Sequence, residues 1–237
     1  MKILSNTILF LLLTNFAFAQ YTPKKDEIKY LEDHKKLRLS VRGGLSFLTG
    51  SNTKEANVNL SAAREQMQSG LQFGADVYYF TSEFTGWGLK FASFTSNAAT
   101  NVSVLQNNGV SVEKEYAENM VNRFYGPAFT TRILSSNAKN VYTLGFAMGY
   151  VDYTNNVNFF GDNYTVKSNA FGLSWTAGWD LMLNDYLGVG LTLSYTMGTL
   201  SRFTADGANS SQLTSLNETI SSDISRFEVT VGLSLYK

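Results

Sequence analysis

Eight ionisable side chains carry most of the chemistry open to this chain: Arg38, Arg42, Asp76, Lys90, Arg132, Asp180, Arg226 and Glu228. Each stands in a run of apolar and small residues. The chain has no cysteine, which excludes a disulfide framework, a Cys-ligated zinc and a thiol nucleophile. A hydrolase or acyltransferase needs a general base beside a nucleophile. The single histidine, His34, lies next to Lys35 and Lys36, ahead of every patterned segment, and is badly placed to serve as that base. A serine–lysine or carboxylate pair built on Lys90, Asp76 or Asp180 is the remaining option, and no spacing singles one out. No glycine-rich phosphate loop is present. With 19 basic and 19 acidic residues the formal net charge is zero, so the chain lacks the electrostatic footprint of a nucleic-acid binder. These residues predict neither a cofactor nor a metal site.

The elements that position these side chains begin after a charged leader. Lys2 is followed by an apolar run from Ile8 to Leu13 and by Ala17-Phe18-Ala19, the pattern of a signal peptide cleaved after Ala19. That run is too short for a spanning helix, which needs about 20 apolar residues. Residues 20–36 then mix both signs of charge and read as a polar leader. Residues 37–237 form the expected folded domain.

From Leu37 onward the dominant period is two, that of a β-strand. In the clearest case Leu187, Val189, Leu191, Leu193, Tyr195 and Met197 fall on one face, and Gly188, Gly190, Thr192, Ser194 and Thr196 on the other. Eight such strands are expected near 37–48, 70–81, 86–96, 121–134, 140–153, 169–182, 186–199 and 223–236. Connections around 49–69, 97–120, 154–168 and 200–222 are long, and those around 82–85, 135–139 and 183–185 are short. Alternating long and short connections on an even strand count describe an up-and-down antiparallel transmembrane β-barrel, with its termini on the periplasmic side.

An exported soluble barrel of the lipocalin type has the same period, with its apolar face inside. Its other face would carry many charges, whereas here that face is mostly Gly, Ser, Thr and Ala. Small residues suit the cramped interior of eight strands, and aromatics and aliphatics suit lipid. The eight ionisable residues share the small-residue parity, so they are expected to form a polar network that plugs the lumen. Arg123 and Asp152 break that parity, but near long connections. Trp87, Tyr142 and Trp179 fall near the short-turn ends, and Phe47, Tyr150, Phe171, Tyr195 and Phe227 lie further along, as interfacial rings would.

Near the end of the chain, Val229, Val231, Leu233 and Leu235 alternate up to Tyr236, with Lys237 last. This resembles the C-terminal assembly signal of outer-membrane barrels. From about residue 37 the chain is similar to the small eight-stranded outer-membrane barrel superfamily of Gram-negative bacteria. The resemblance implies a monomer in the outer membrane, contact with outer-membrane lipid, and recognition by the barrel-assembly machinery during insertion. Members include structural proteins, adhesins, small-molecule conduits and lipid-modifying enzymes, so fold alone does not assign a role. The expectation is a non-enzymatic protein, structural or binding through extracellular loops. A lipid-modifying enzyme, a narrow channel or small-ligand conduit, and a soluble lipocalin-like binder are the alternatives. Among loop residues, Phe159, Phe160 and Tyr164 are the first candidates for contact with an extracellular protein or glycan.

Overall fold

The computed structural model describes residues 35–50, 65–105, 111–136, 139–159, 161–207 and 222–237. The expected signal segment 1–19, His34 and all but the last two leader residues lie outside the described residues.

The strands are β1 (Leu37–Leu48), β2 (Ser69–Phe80), β3 (Thr85–Leu105), β4 (Ser111–Leu134), β5 (Asn140–Phe159), β6 (Asp162–Met182), β7 (Leu187–Leu200), the short β8 (Phe203–Gly207) and β9 (Ser222–Asp223), and β10 (Arg226–Tyr236). Consecutive strands pair antiparallel from β1 to β7; β7 pairs with β10, and β10 with β1. That closes a ring of eight. β8 extends the sheet beside β6, and β9 beside the end of β7. The ring is sealed next to the C-terminus, where the Leu37 amide donates to the Lys237 carbonyl at 2.7 Å.

The register fixes the barrel's dimensions. A row of directly paired, outward residues runs Phe47, Phe227, Tyr195, Trp175, Phe146, Phe129, Trp87, Tyr79 and returns to β1 at Leu37. One circuit therefore slips from position 47 to position 37, a shear of ten residues. With about 3.3 Å per residue and about 4.8 Å between strands, this shear gives a strand tilt of about 40° and a backbone radius of about 8 Å. Ten residues at that tilt rise about 25 Å, the height of the apolar band of an outer-membrane barrel. The aromatic row thus climbs diagonally from one edge of the band to the other, and its rings touch: Trp87 and Phe129 are 5.0 Å apart between centroids, Phe146 and Trp175 4.5 Å.

Exposure decides which face meets which solvent. Leu191 and Leu193 are each 40% exposed, whereas Thr192 and Ser194 are buried. The same holds around the ring, where Val41, Leu71, Leu89, Leu144, Phe171 and Val231 all point outward. A soluble lipocalin-like barrel would bury Leu191 and Leu193, so that alternative does not describe this chain.

Two expectations are corrected. Segments 97–120 and 154–168 are largely strand rather than loop: β3 runs on to Leu105 and β4 begins at Ser111, while β5 runs on to Phe159 and β6 begins at Asp162, just after Gly161 with a φ of 96°. Alternation persists there, with Ser96, Ala98 and Met120 buried between exposed Asn97 and Asn119. Above the apolar band the outward positions become polar, so the hydrophobic contrast that marks a strand disappears. The ring also has a local defect. β4 and β5 pair from Tyr116 to Tyr125 and again from Ala128, but not at Gly126 and Pro127, where proline brings no N–H to the ladder.

Candidate functional site

The eight ionisable residues named from parity are all buried inside the ring, between 0% and 6% exposed. They fall into levels. Near the short-turn end Arg38 crosses to Asp180, with Nη2 at 2.9 Å and Nε at 3.2 Å from Oδ2. The Tyr236 hydroxyl accepts from Arg38 Nε at 3.0 Å and donates to the same carboxylate. Arg132 closes this level, donating from Nε to the Glu83 carbonyl at 2.7 Å with its guanidinium 3.8 Å from the centroid of the Phe80 ring. In the middle, Arg42 pairs with Asp76, and Ser40 donates to Asp76 Oδ2 at 3.1 Å. Lys90 donates to three hydroxyls, of Thr176 at 2.7 Å, Ser174 at 2.8 Å and Ser194 at 3.4 Å. Higher up, Arg226 donates from Nε to Glu228 Oε1 at 2.8 Å, and Thr196 Oγ1 donates to the same oxygen at 3.1 Å. Ser174 and Thr196 are 3.1 Å apart, so one chain of hydrogen bonds links Lys90 to Arg226.

Apolar side chains lie above and beside the polar levels. Met67, Phe94, Ala98, Tyr116 and Met120 form one buried cluster with Leu48 packed against it. Phe124, Val151, Leu200 and Ile224 belong to a second, against which Phe203 packs. At a radius of about 8 Å, side chains suffice to fill such a cross-section.

Lys90 and Ser174 are the pair that the sequence left unselected. Their geometry is that of a base beside a hydroxyl, but Lys90 is 3% and Ser174 0% exposed. Ser174, Thr176, Ser194 and Thr196 escape sequence reasoning because small hydroxyls on a lumen face look like mere space-fillers, and Tyr236 because it reads as the terminal aromatic of the assembly signal. Parity was the signal that would have included them.

Of Phe159, Phe160 and Tyr164, the described residues include the Phe159 backbone and Tyr164, both in strands. Phe159 ends β5, opposite Asp162 and Tyr116 in the backbone register; its side chain and all of Phe160 lie outside the described residues. Tyr164 is half-buried in β6, between Val157 and Gly207.

The outward face beyond the apolar band changes character row by row. Phe91, Tyr125, Tyr150 and Phe171 lie side by side on β3 to β6; the next row is Ser93, Arg123, Asp152 and Asn169. Arg123 Nη1 meets Asp152 Oδ2 at 3.2 Å, and both side chains are partly exposed. The two residues that broke parity thus pair with each other at the edge of the band.

No protein-family model matches the chain, and no curated protein matches it in sequence. Solved structures do. The outer membrane protein OprG from Pseudomonas aeruginosa is 13% identical over 87% of this chain and 99% of its own, with a TM-score of 0.52. A major outer membrane protein from Thermus thermophilus is 14% identical over 85% and 99%, with a TM-score of 0.49. Ail, the attachment invasion locus protein of Yersinia pestis, is 11% identical over 86% and 100%, with a TM-score of 0.47. The likeness to OprG is one of fold, and that fold is a small eight-stranded outer-membrane β-barrel. With its apolar exterior, the chain is an integral outer-membrane protein, porin-like in architecture.

Proposed function

We propose that this is a closed, non-enzymatic barrel: a polar plug fills its lumen, and its long hairpins, on the extracellular side, bind or support structure at the cell surface. The observation that carries this reading is the stacking of three ion pairs, Arg38–Asp180, Arg42–Asp76 and Arg226–Glu228, at successive levels of one narrow lumen. Ions following that path would have to displace each pair in turn, and breaking a buried pair is expensive. The burial of Lys90 and Ser174 supports the non-enzymatic reading, because a nucleophile must reach its substrate. The hairpins support a surface role: β3 to β6 extend well past the aromatic row, on a rigid sheet of the kind that positions binding groups.

Planar-bilayer recording of the refolded protein tests the plug, with a lipid-hydrolysis assay on the same preparation. The expected result is no steady ion current and no lipid turnover. Steady current would overturn the plug, and turnover the non-enzymatic reading.

A further inference from the structure

We infer that the outward face of the extended hairpins is a binding surface for the uncharged sugars of glycolipids in the adjoining outer leaflet. The residues form two rows across four strands. Asn97, Asn119, Asn156 and Thr165 are direct neighbours on β3 to β6, and Ala99, Ala117, Asn158 and Asn163 are the next row outward. All share the parity of Tyr125 and Tyr150, so they face away from the lumen. The side chains hydrogen-bond along the rows: Asn119 Nδ2 donates to Asn97 Oδ1, Thr165 Oγ1 to Asn156 Oδ1 at 2.9 Å, and Asn158 Nδ2 to Asn163 Oδ1 at 3.1 Å. These bonds hold the amides in place while leaving each with further donor and acceptor capacity. Preorganised amides of this kind match the paired donor and acceptor character of neighbouring hydroxyls on a sugar ring.

Shape and charge point the same way. A shallow depression of about 360 Å³ opens here, lined by Ala117, Asn119, Asn156, Asn158, Asn163 and Thr165 and also by Glu118, Val157 and Tyr164 of the row between them. That is within the range of small-ligand sites. On β3 to β6 the two rows carry no charged side chain; Glu118, which also lines the depression, has the opposite parity, and its carboxylate accepts from the Tyr116 hydroxyl. An anionic ligand would find no cation in these rows.

Height selects the source. Counting along the tilted strands from the top of the aromatic diagonal, the Asn97–Thr165 row stands roughly 5 to 15 Å beyond the apolar band. A face at that height looks sideways along the membrane, so what stands opposite it is the headgroup of a neighbouring lipid rather than a molecule arriving from above. The inference rests on the hairpins lying outside the cell and not on the state of the lumen.

The test uses the refolded chain in phosphatidylcholine nanodiscs doped either with a neutral trihexosyl glycolipid or with its sugarless analogue, read by native mass spectrometry. Wild type should retain the glycolipid about tenfold more than the analogue, the size expected for a small set of neutral hydrogen bonds. The triple variant Asn119→Ala, Asn156→Ala, Asn163→Ala should retain both equally. Ala117→Trp, which fills the depression and leaves the amides intact, should do the same and carries the test if the triple variant fails to fold. Equal retention by wild type, or undiminished retention by either folded variant, overturns the inference. So does free trisaccharide binding as tightly as the glycolipid, since the surface would then serve soluble glycan.

Discussion

Arg38 and Asp180, 142 residues apart in sequence, meet at 2.9 Å across the lower lumen, joining β1 to a strand that is not its neighbour in the ring. Removing one member leaves a buried charge without its partner, which costs about 3–5 kcal/mol. Arg38→Met and Asp180→Leu should each lower the unfolding free energy in bilayers by that order. The double variant should recover most of the loss, since an apolar pair of similar volume replaces both charges. Equal losses that simply add would show that the two residues do not act as a pair.

Gly190 tests the same contact from the other side. A Cβ at Gly190 would run into Asp180 Oδ1 and lie 2.8 Å from the Trp179 carbonyl. Gly190→Ala should therefore push Asp180 out of line with Arg38 and cost about 1–3 kcal/mol. In an Asp180→Ala background that cost should shrink, because much of the obstruction is the carboxylate itself. Urea titration of the four proteins completes this cycle.

The gap at Pro127 predicts a gain. Pro127→Val restores an N–H on a strand position facing lipid, and closing one ladder bond is worth about 1 kcal/mol. The unfolding midpoint should rise, with slower amide exchange at Met148 and Gly149. A lowered midpoint would mean that the proline is structurally required there.

Depth sets a fourth expectation. Leu191→Arg places a cation near mid-band and should cost about 2–4 kcal/mol in a bilayer. Thr199→Arg, outward on the same strand but beyond the band, should cost about 1 kcal/mol or less. A flat profile in vesicle unfolding would refute the position assigned to the apolar band.

What was legible in the sequence follows from where physical contrast exists. Between Tyr186 and Met197 every second residue is apolar against Gly, Ser or Thr, and both the strand and its lipid face can be read. The same contrast placed Arg38, Asp180 and Glu228 on the lumen parity. It failed beyond the band, where Asn97, Asn119 and Asn156 stand in ladders as regular as those below but face water on the outside. Their composition imitates loop, so the amide rows were read as connection. Partners across the lumen were illegible for another reason. Arg38 to Asp180 depends on the shear of the closed ring, and no local pattern encodes that number. Nor did sequence select Ser174 beside Lys90, because the lumen face offers many equivalent hydroxyls.

The central claim is that lipid surrounds the aliphatic face and that the small-residue face is sealed inside. The absence of native cysteine makes the direct test clean. Single nitroxide labels on Leu191→Cys and Thr192→Cys of bilayer-reconstituted protein are read by collision with oxygen and with a water-soluble nickel chelate. The account predicts that the label at 191 collides freely with oxygen and rarely with nickel, while the label at 192 is shielded from both. A shielded label at 191 with a nickel-accessible label at 192 would contradict it.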